Sequence, residues 1–124
     1  MNQEVKPQAQ IIAGPQGSGK TTRAREIAAA AGTFATIAWC DLSSPFGLGN
    51  IFGGEENPAT LIIDEMPGTT QAMSQAKELA SAQDWMLNRK HQKPIRVRAP
   101  ALIFCTGSVD FLPAAARRFS IIEL

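Results

Sequence analysis

Residues 14 to 21 combine glycine, lysine and threonine in the order that a phosphate-binding loop requires. The segment reads Gly-Pro-Gln-Gly-Ser-Gly-Lys-Thr and matches the pattern G-x-x-x-x-G-K-[ST] at each fixed position. Glycine lets the backbone curve around phosphates and present its N–H groups to them. Lys20 places a cation beside the β- and γ-phosphates, and Thr21 offers a hydroxyl to Mg²⁺. The pattern predicts a site for ATP and Mg²⁺; the alternative is a turn that only joins a strand to a helix.

The predicted ATP contacts cover the whole loop and the residue after it. They are Gly14, Pro15, Gln16, Gly17, Ser18, Gly19, Lys20, Thr21 and Thr22. Lys20 is also a predicted catalytic residue, because its ammonium group lies against the phosphate that is transferred.

Two acids follow the apolar run Leu61–Ile63. An acid at the carboxyl end of a parallel strand lies in the crevice where such sheets bind ligands. We predict that Asp64, together with Thr21, holds Mg²⁺. Glu65 would orient and deprotonate the water that attacks the γ-phosphate, which favours hydrolysis over transfer to a bound acceptor. The alternative is a solvated acid pair that merely ends a strand.

A basic segment lies between Trp85 and Val109, which includes six basic residues and no acid. These residues are Arg89, Lys90, His91, Lys93, Arg96 and Arg98. Such a cluster is a fair electrostatic footprint for the phosphates of a nucleic acid. A solvated basic loop, or a patch that faces acids of a neighbouring subunit, explains it equally well, since the net charge of the chain is only +1.

The elements that must position these residues alternate between apolar runs and helical stretches. Strands are predicted at Gln10–Ala13, Phe34–Cys40, Thr60–Ile63, Ala101–Cys105 and Phe119–Leu124, and Ile95–Arg98 as one arm of a hairpin. Helices are predicted at Lys20–Ala31, ending at Gly32, at Thr69–Arg89 and at Leu112–Arg118. Leu42–Pro58 is predicted to be a loop with one short helical turn around Phe46–Ile51. The alternation predicts an α/β fold, a three-layer αβα sandwich around a mainly parallel sheet.

Length and composition are those of one globular domain. The chain has 124 residues, of which 44% are hydrophobic and 19% charged. We expect residues 1–9 to form a polar tail and residues 10–124 a single ATPase domain. The polar start and the lack of a long apolar run predict a cytoplasmic protein without a membrane partner. Cys40 and Cys105 are interpreted as buried strand residues of a reduced protein.

The order of these motifs resembles that of the superfamily 3 helicases of small DNA viruses, which belong to the AAA+ class of ring ATPases. The resemblance covers nearly the whole chain. Its more discriminating part is Arg89-Lys90-His91 followed by Val97–Ile103, which looks like the viral hairpin that projects into the channel of the ring. It implies an AAA+ fold, a ring oligomer of this chain, such as a hexamer, and contacts from Arg89, Lys90, His91 and Lys93 to single-stranded DNA.

The resemblance also implies two further catalytic residues. Thr106 follows the run Leu102–Cys105, where ring ATPases place a polar side chain against the γ-phosphate or the attacking water. The family usually has Asn near the position of Gly107, and a threonine that simply leaves a strand is the alternative. Arg118, or else Arg117, would reach into the site of the next subunit and stabilise charge on the phosphate; the alternative is an exposed pair at the end of a short helix.

Three functions are compatible with these features. The first is a Mg²⁺-dependent, helicase-like ATPase that acts on single-stranded nucleic acid in the replication of a phage, plasmid or mobile element. It would work with a separate origin-binding or replication protein. The second is a small phosphotransferase of the nucleotide-kinase type, and the third is a nucleotide-dependent switch or regulatory protein with little turnover. The acid pair Asp64-Glu65 favours the first.

Overall fold

Five parallel strands form the central sheet in the computed structural model, which describes residues 9–53, 56–107 and 117–124. In chain order they are β1 (Gln10–Ala13), β2 (Phe34–Ala38), β3 (Thr60–Met66), β6 (Ala101–Thr106) and β7 (Ser120–Glu123). Their order across the sheet is β2-β3-β6-β1-β7, and each neighbouring pair is parallel. The predicted α/β fold with a mainly parallel sheet is confirmed.

Both faces of the sheet are covered along its inner strands, because alternate residues of β1, β3 and β6 enter different clusters. On β1, Ile12 packs with Ala24 and Ala28, whereas Ile11 and Ala13 belong to the larger cluster on the other face. The strands therefore lack the alternation of apolar and polar residues that marks a half-exposed sheet. This is why their sequences read as continuous apolar runs.

The first helix, α1, spans Lys20–Ala31 as predicted, and its end at Gly32 is confirmed. Gly32 has φ 142°, a value that residues with a side chain rarely adopt. Ala24 and Ala28 are fully buried against the sheet. Because these residues are small, α1 lies close to the sheet, directly behind the phosphate-binding loop.

The predicted long helix at Thr69–Arg89 is wrong in its second half. The second helix, α2, spans Thr70–Ser81, and the hydroxyl of Thr69 accepts the backbone N–H of Ala72 at 3.1 Å. After Ser81 the chain forms a strand instead. The four-residue spacing of Leu79, Gln83 and Leu87 suggested a helix. In the folded protein, residues 84–89 instead alternate between buried and exposed positions, as a strand does.

The strand β4 (Asp84–Arg89) pairs antiparallel with β5 (Gln92–Arg98), which confirms the predicted hairpin arm. On β4, Trp85 and Leu87 are buried while Met86 is 63% exposed. Alternation of this kind is that of a strand with one face on the core. A two-residue turn, Lys90 and His91, joins the strands, and His91 has φ 59°.

The described part of the predicted loop at Leu42–Pro58 consists of turns. A 3₁₀ helix at Trp39–Ser43 precedes it, and the N–H of Asn50 donates to the carbonyl of Phe46 at 2.9 Å, which gives the expected single turn. Gly49 lies against the backbone carbonyl of Asn88, where any Cβ would overlap that oxygen. The loop therefore packs against the hairpin close to its turn.

Several predicted boundaries change. The second strand, β2, ends at Ala38, so Cys40 lies in the 3₁₀ helix and is exposed; its predicted burial is wrong, whereas that of Cys105 is confirmed. The third strand continues beyond Ile63 and includes both acids. Most of the helix predicted at Leu112–Arg118 lies outside the described residues. Among the described helices, none has the length and apolar character to cross a membrane.

Candidate nucleotide site

The phosphate-binding loop leaves β1 at the carboxyl edge of the sheet. The N–H of Gly14 donates to the carbonyls of Thr106 and Gly107 at 3.2 and 3.1 Å, which fixes the start of the loop to β6. Gly17 and Gly19 have φ 83° and 90°. These left-handed conformations are costly for residues with a Cβ, so glycine is required at both positions.

The loop ends at the amino end of α1, where the helix offers unpaired N–H groups. Gly19 occupies the position before the helix, and neither a capping side chain nor an acid in the first turn satisfies these donors. The positive end of a helix dipole favours an anion at this place. The local structure is thus that of a phosphate site.

The side chain of Lys20 folds back over the loop. Its Nζ donates to the carbonyl of Gly14 at 2.6 Å and to that of Pro15 at 3.1 Å. Both partners are neutral carbonyls, so a phosphate could replace them with a stronger, charge-assisted bond. The hydroxyl of Ser18 is buried without a hydrogen-bond partner and lies near Gly14.

Thr21 and Asp64 meet although they are 43 residues apart. The hydroxyl of Thr21 donates to Oδ2 of Asp64 at 3.2 Å. A hydroxyl and a carboxylate are oxygen ligands of the type that Mg²⁺ prefers, with phosphate and water as the remaining ligands. The residues present are therefore suited to Mg²⁺ bound with ATP.

Glu65 lies in a β-bulge with a left-handed backbone. The register between β3 and β6 shifts between Ile63 and Met66, and Glu65 has φ 61°. Its N–H donates to Oδ1 of Asp64 at 2.9 Å, and its side chain is exposed at the cavity. Bulges of this kind re-aim a side chain next to active sites, and a left-handed non-glycine residue often marks function.

These elements surround a cavity of about 420 Å³. Its lining is Gln16, Gly17, Gly19, Lys20, Thr21, Thr22, Asp64, Glu65, Cys105, Thr106 and Gly107. The structure thus brings the loop, both acids and Thr106 to one place. Parallel strands explain this, because their carboxyl ends share one edge of the sheet.

Cys105 lines the cavity, as does Gly107, although neither was predicted from the sequence to be a site residue. Burial raises the pKa of its thiol from 9.0 to about 11; the charge of Asp64 adds to the rise and that of Lys20 opposes it. The thiol is therefore neutral at pH 7 and a poor nucleophile. The sequence feature that could have indicated the place of Cys105 in the cavity is its position next to Thr106 at the end of a strand.

The two arginines that were predicted to act on the next subunit lie apart from this lining. Arg117 and Arg118 are exposed in the turn before β7, and neither is among the described residues that line the cavity. The hydroxyl of Thr106 is not an available hydrogen-bond donor in the cavity, because it donates to the carbonyl of Met66 at 2.7 Å. The predicted roles of Thr106 and Arg118 remain predictions.

The hairpin gathers the predicted nucleic-acid contacts at its tip. Lys90, His91 and Lys93 are exposed there. Arg89 is half-buried, with Nη2 donating to the carbonyl of Lys93 at 3.2 Å and its Nε buried without a hydrogen-bond partner. Arg89 therefore has a structural role in the hairpin in addition to its charge.

The fold and the site define a P-loop nucleotide-binding domain. The sequence profile of the ATPase family associated with various cellular activities (AAA) matches residues 10–124. The chain belongs to this family of ATPases.

Solved structures with the same fold include JCV helicase and the C-terminal region of NrS-1. JCV helicase, solved with a bound acetamide compound, is 20% identical with a TM-score of 0.69, over 94% of this chain and 35% of that one. The apo C-terminal region of NrS-1 is 20% identical with a TM-score of 0.67, over 93% of this chain and 28% of that one. The chain thus spans about a third of the length of these structures. Curated protein sequences gave no match.

Proposed function

We propose that this domain hydrolyses ATP as a ring-forming, superfamily 3 helicase-like ATPase that acts on single-stranded nucleic acid. The observation that carries the proposal is the position of Glu65, which lies in the cavity beside Asp64 while Asp64 bonds Thr21 of the phosphate loop. An acid free of the metal-binding pair is placed to act on water. The similarity of the fold to that of JCV helicase supports the finer part of the proposal.

Each residue of the site has a part in hydrolysis. The N–H groups at the start of α1 bind the phosphates, and Lys20 exchanges its two carbonyl partners for phosphate oxygens. Thr21 and Asp64 would hold Mg²⁺, which would neutralise charge on the phosphates when bound. Glu65 orients the water and accepts its proton, so the attack breaks the bond between the γ-phosphorus and the bridging oxygen.

A second copy of the chain completes the site. Lys20 is the one cation among the described residues that line the cavity, yet the transition state of phosphoryl transfer gains from additional positive charge. Arg118 is exposed and outside its own cavity. We propose that it reaches the γ-phosphate bound to the neighbouring protomer, with Arg117 as its alternative, and that such contacts close a ring.

The basic hairpin is the proposed nucleic-acid contact. Lys90, His91 and Lys93 expose their charges at the tip, while the buried Trp85 and Leu87 hold the base of the hairpin to the core. Contacts of this kind are electrostatic and independent of base sequence. A separate origin-binding or replication protein would then supply the choice of site.

Steady-state ATP hydrolysis over a protein dilution series, with and without single-stranded DNA, tests the proposal. The specific activity should rise with protein concentration and again with DNA. Arg118→Ala should lose activity, and mixing it with Lys20→Ala should restore part of the rate, because some interfaces then pair an intact Lys20 site with an intact arginine. Arg25→Ala, an exposed arginine on α1, is the matched control and should behave as wild type.

Three results would contradict the proposal. A specific activity that is independent of protein concentration and DNA, without complementation, rules out the shared site. ATP consumption that requires a small acceptor identifies a nucleotide-kinase type of phosphotransferase, and nucleotide binding without turnover identifies a switch.

A further inference from the structure

Thr106 connects the two halves of the nucleotide site. Its strand, β6, lies between β1, which leads into the phosphate loop, and β3, which ends in the two acids. Its backbone carbonyl accepts the N–H of Gly14 at 3.2 Å, and its hydroxyl donates to the carbonyl of Met66 at 2.7 Å. One residue therefore bonds the start of the loop on one side and the end of the acidic strand on the other.

The bond to Met66 closes the bulge that contains Glu65. Ile63 pairs with Phe104 and Met66 pairs with Thr106, so β3 uses three steps where β6 uses two. The extra residue is accommodated by a left-handed backbone at Glu65, with φ 61°. Such a conformation persists only where the surrounding structure enforces it.

Burial makes this bond hard to replace. Thr106 is 1% exposed and Met66 is 2% exposed, so solvent water does not compete for the carbonyl. The Thr106 hydroxyl has one proton, and it is used in the hydrogen bond to the carbonyl of Met66. None remains to donate to a phosphate oxygen.

We propose that Thr106 is a positioning residue that sets the backbone of Glu65, rather than a direct ligand of the γ-phosphate. The hydroxyl holds the bulge closed, and the carbonyl fixes the phosphate loop at the same strand end. This inference rests on the proposed function for its effect on hydrolysis, whereas its structural part can be measured without turnover.

The kinetic test compares three variants. Thr106→Val keeps the shape of the side chain and removes the hydrogen bond; we expect kcat to fall about 10- to 100-fold, the cost of a misplaced reacting group. The dissociation constant for ATP should stay within about twofold, since the phosphate loop is intact. Thr106→Ser restores the hydroxyl and should recover most of the rate. Thr60→Val is the control and should leave kcat unchanged. Thr60 is also a buried threonine, 3% exposed, but it lies at the other end of β3.

A direct contact with the γ-phosphate gives a different pattern. If Thr106 only positions Glu65, adding Thr106→Val to a Glu65→Gln protein, which already lacks the base, should add little to the loss of rate. The affinities for ATP and ADP should then change by the same factor. A selective loss of ATP affinity, with ADP affinity unchanged, would overturn the positioning role.

The structural part is tested by amide exchange, measured by NMR. The N–H of Glu65, bonded to Asp64 at 2.9 Å, should exchange faster in Thr106→Val than in wild type or Thr106→Ser. Equal protection in all three proteins overturns the inference. Thr106→Ala removes the same bond with less volume and replaces the valine variant if that one does not fold. If the wild type does not turn over ATP, the proposed function is wrong. The amide exchange of Glu65 still decides whether Thr106 positions its backbone.

Discussion

The nucleotide cavity and the tip of the hairpin each contain one strained residue. Glu65 has φ 61° and His91 has φ 59°, and they are the two described non-glycine residues with positive φ. Their surroundings differ. Glu65 is held in a bulge between buried strands, whereas His91 sits in a two-residue turn with exposed neighbours.

The difference lies in what enforces the strained backbone. At Glu65 the enforcing groups are the buried Thr106 of β6, which is distant in the sequence, and the carboxylate of the adjacent Asp64. At His91 only the tight turn requires the conformation, which glycine would adopt more easily. We therefore expect large, non-additive effects at the cavity and small, salt-dependent effects at the hairpin.

The largest expected effect is at Glu65. Glu65→Gln should lower kcat about 10²- to 10⁴-fold, because the amide cannot accept a proton from water, while ATP still binds. Single-turnover hydrolysis and nucleotide titration measure the two quantities separately. Glu78→Gln, at an exposed position of α2, is the control. An unchanged rate in Glu65→Gln means that another group activates the water.

The second effect concerns stability at high pH. Burial raises the pKa of Cys105 from 9.0 to about 11, so the folded protein holds this proton more tightly than the unfolded chain does. Its contribution to the free energy of unfolding is fully present below pH ~9 and is lost as the pH rises through ~11, to a limit of about 3 kcal/mol.

Denaturant titration at several pH values from neutral to alkaline measures this slope. The Cys105→Ala variant should lose the part of the slope that comes from the thiol. Cys40→Ala, at the exposed cysteine, should keep it. Equal slopes in both variants would mean that Cys105 does not carry the alkaline sensitivity of the cavity.

The third effect is at the hairpin. Lys90→Ala should weaken the binding of single-stranded DNA about threefold to tenfold, by the same factor for every sequence. The slope of the logarithm of the binding constant against that of the salt concentration should fall by the amount expected for about one phosphate contact. ATP hydrolysis without DNA should not change, because Lys90 is outside the cavity lining. Fluorescence anisotropy at several salt concentrations measures the slope, with Arg25→Ala as the control. A sequence-dependent loss would point to contacts with bases instead.

The smallest effect is on the stability of the hairpin tip. His91→Gly removes the left-handed strain but adds backbone entropy to the unfolded chain, so the free energy of unfolding should change by less than about 1 kcal/mol. Thermal unfolding measures it, and DNA affinity should fall as for Lys90→Ala. A large loss of stability would show that the His91 side chain, rather than the turn, holds the tip together.

Much of this molecule could be predicted where the decisive residues are close together in the sequence. The phosphate loop, α1 and its end at Gly32 follow from glycine positions and helix propensity, and the apolar runs identify the buried strands. The second half of the predicted helix at Thr69–Arg89 failed because Leu87 fits both the helical spacing from Leu79 and Gln83 and the two-residue strand spacing from Trp85. Packing of these side chains on the core decided between the two.

The sequence by itself determined which residues can bind phosphate and which acids can act on water, because these properties belong to residue types and short spacings. Only the tertiary structure decided that Thr21 contacts Asp64, that Thr106 bonds Met66, and that Glu65 adopts a left-handed backbone. Those features depend on the order β3-β6-β1 across the sheet and on a one-residue bulge. Strand order and register arise from the packing of the whole core, so no local segment encodes them.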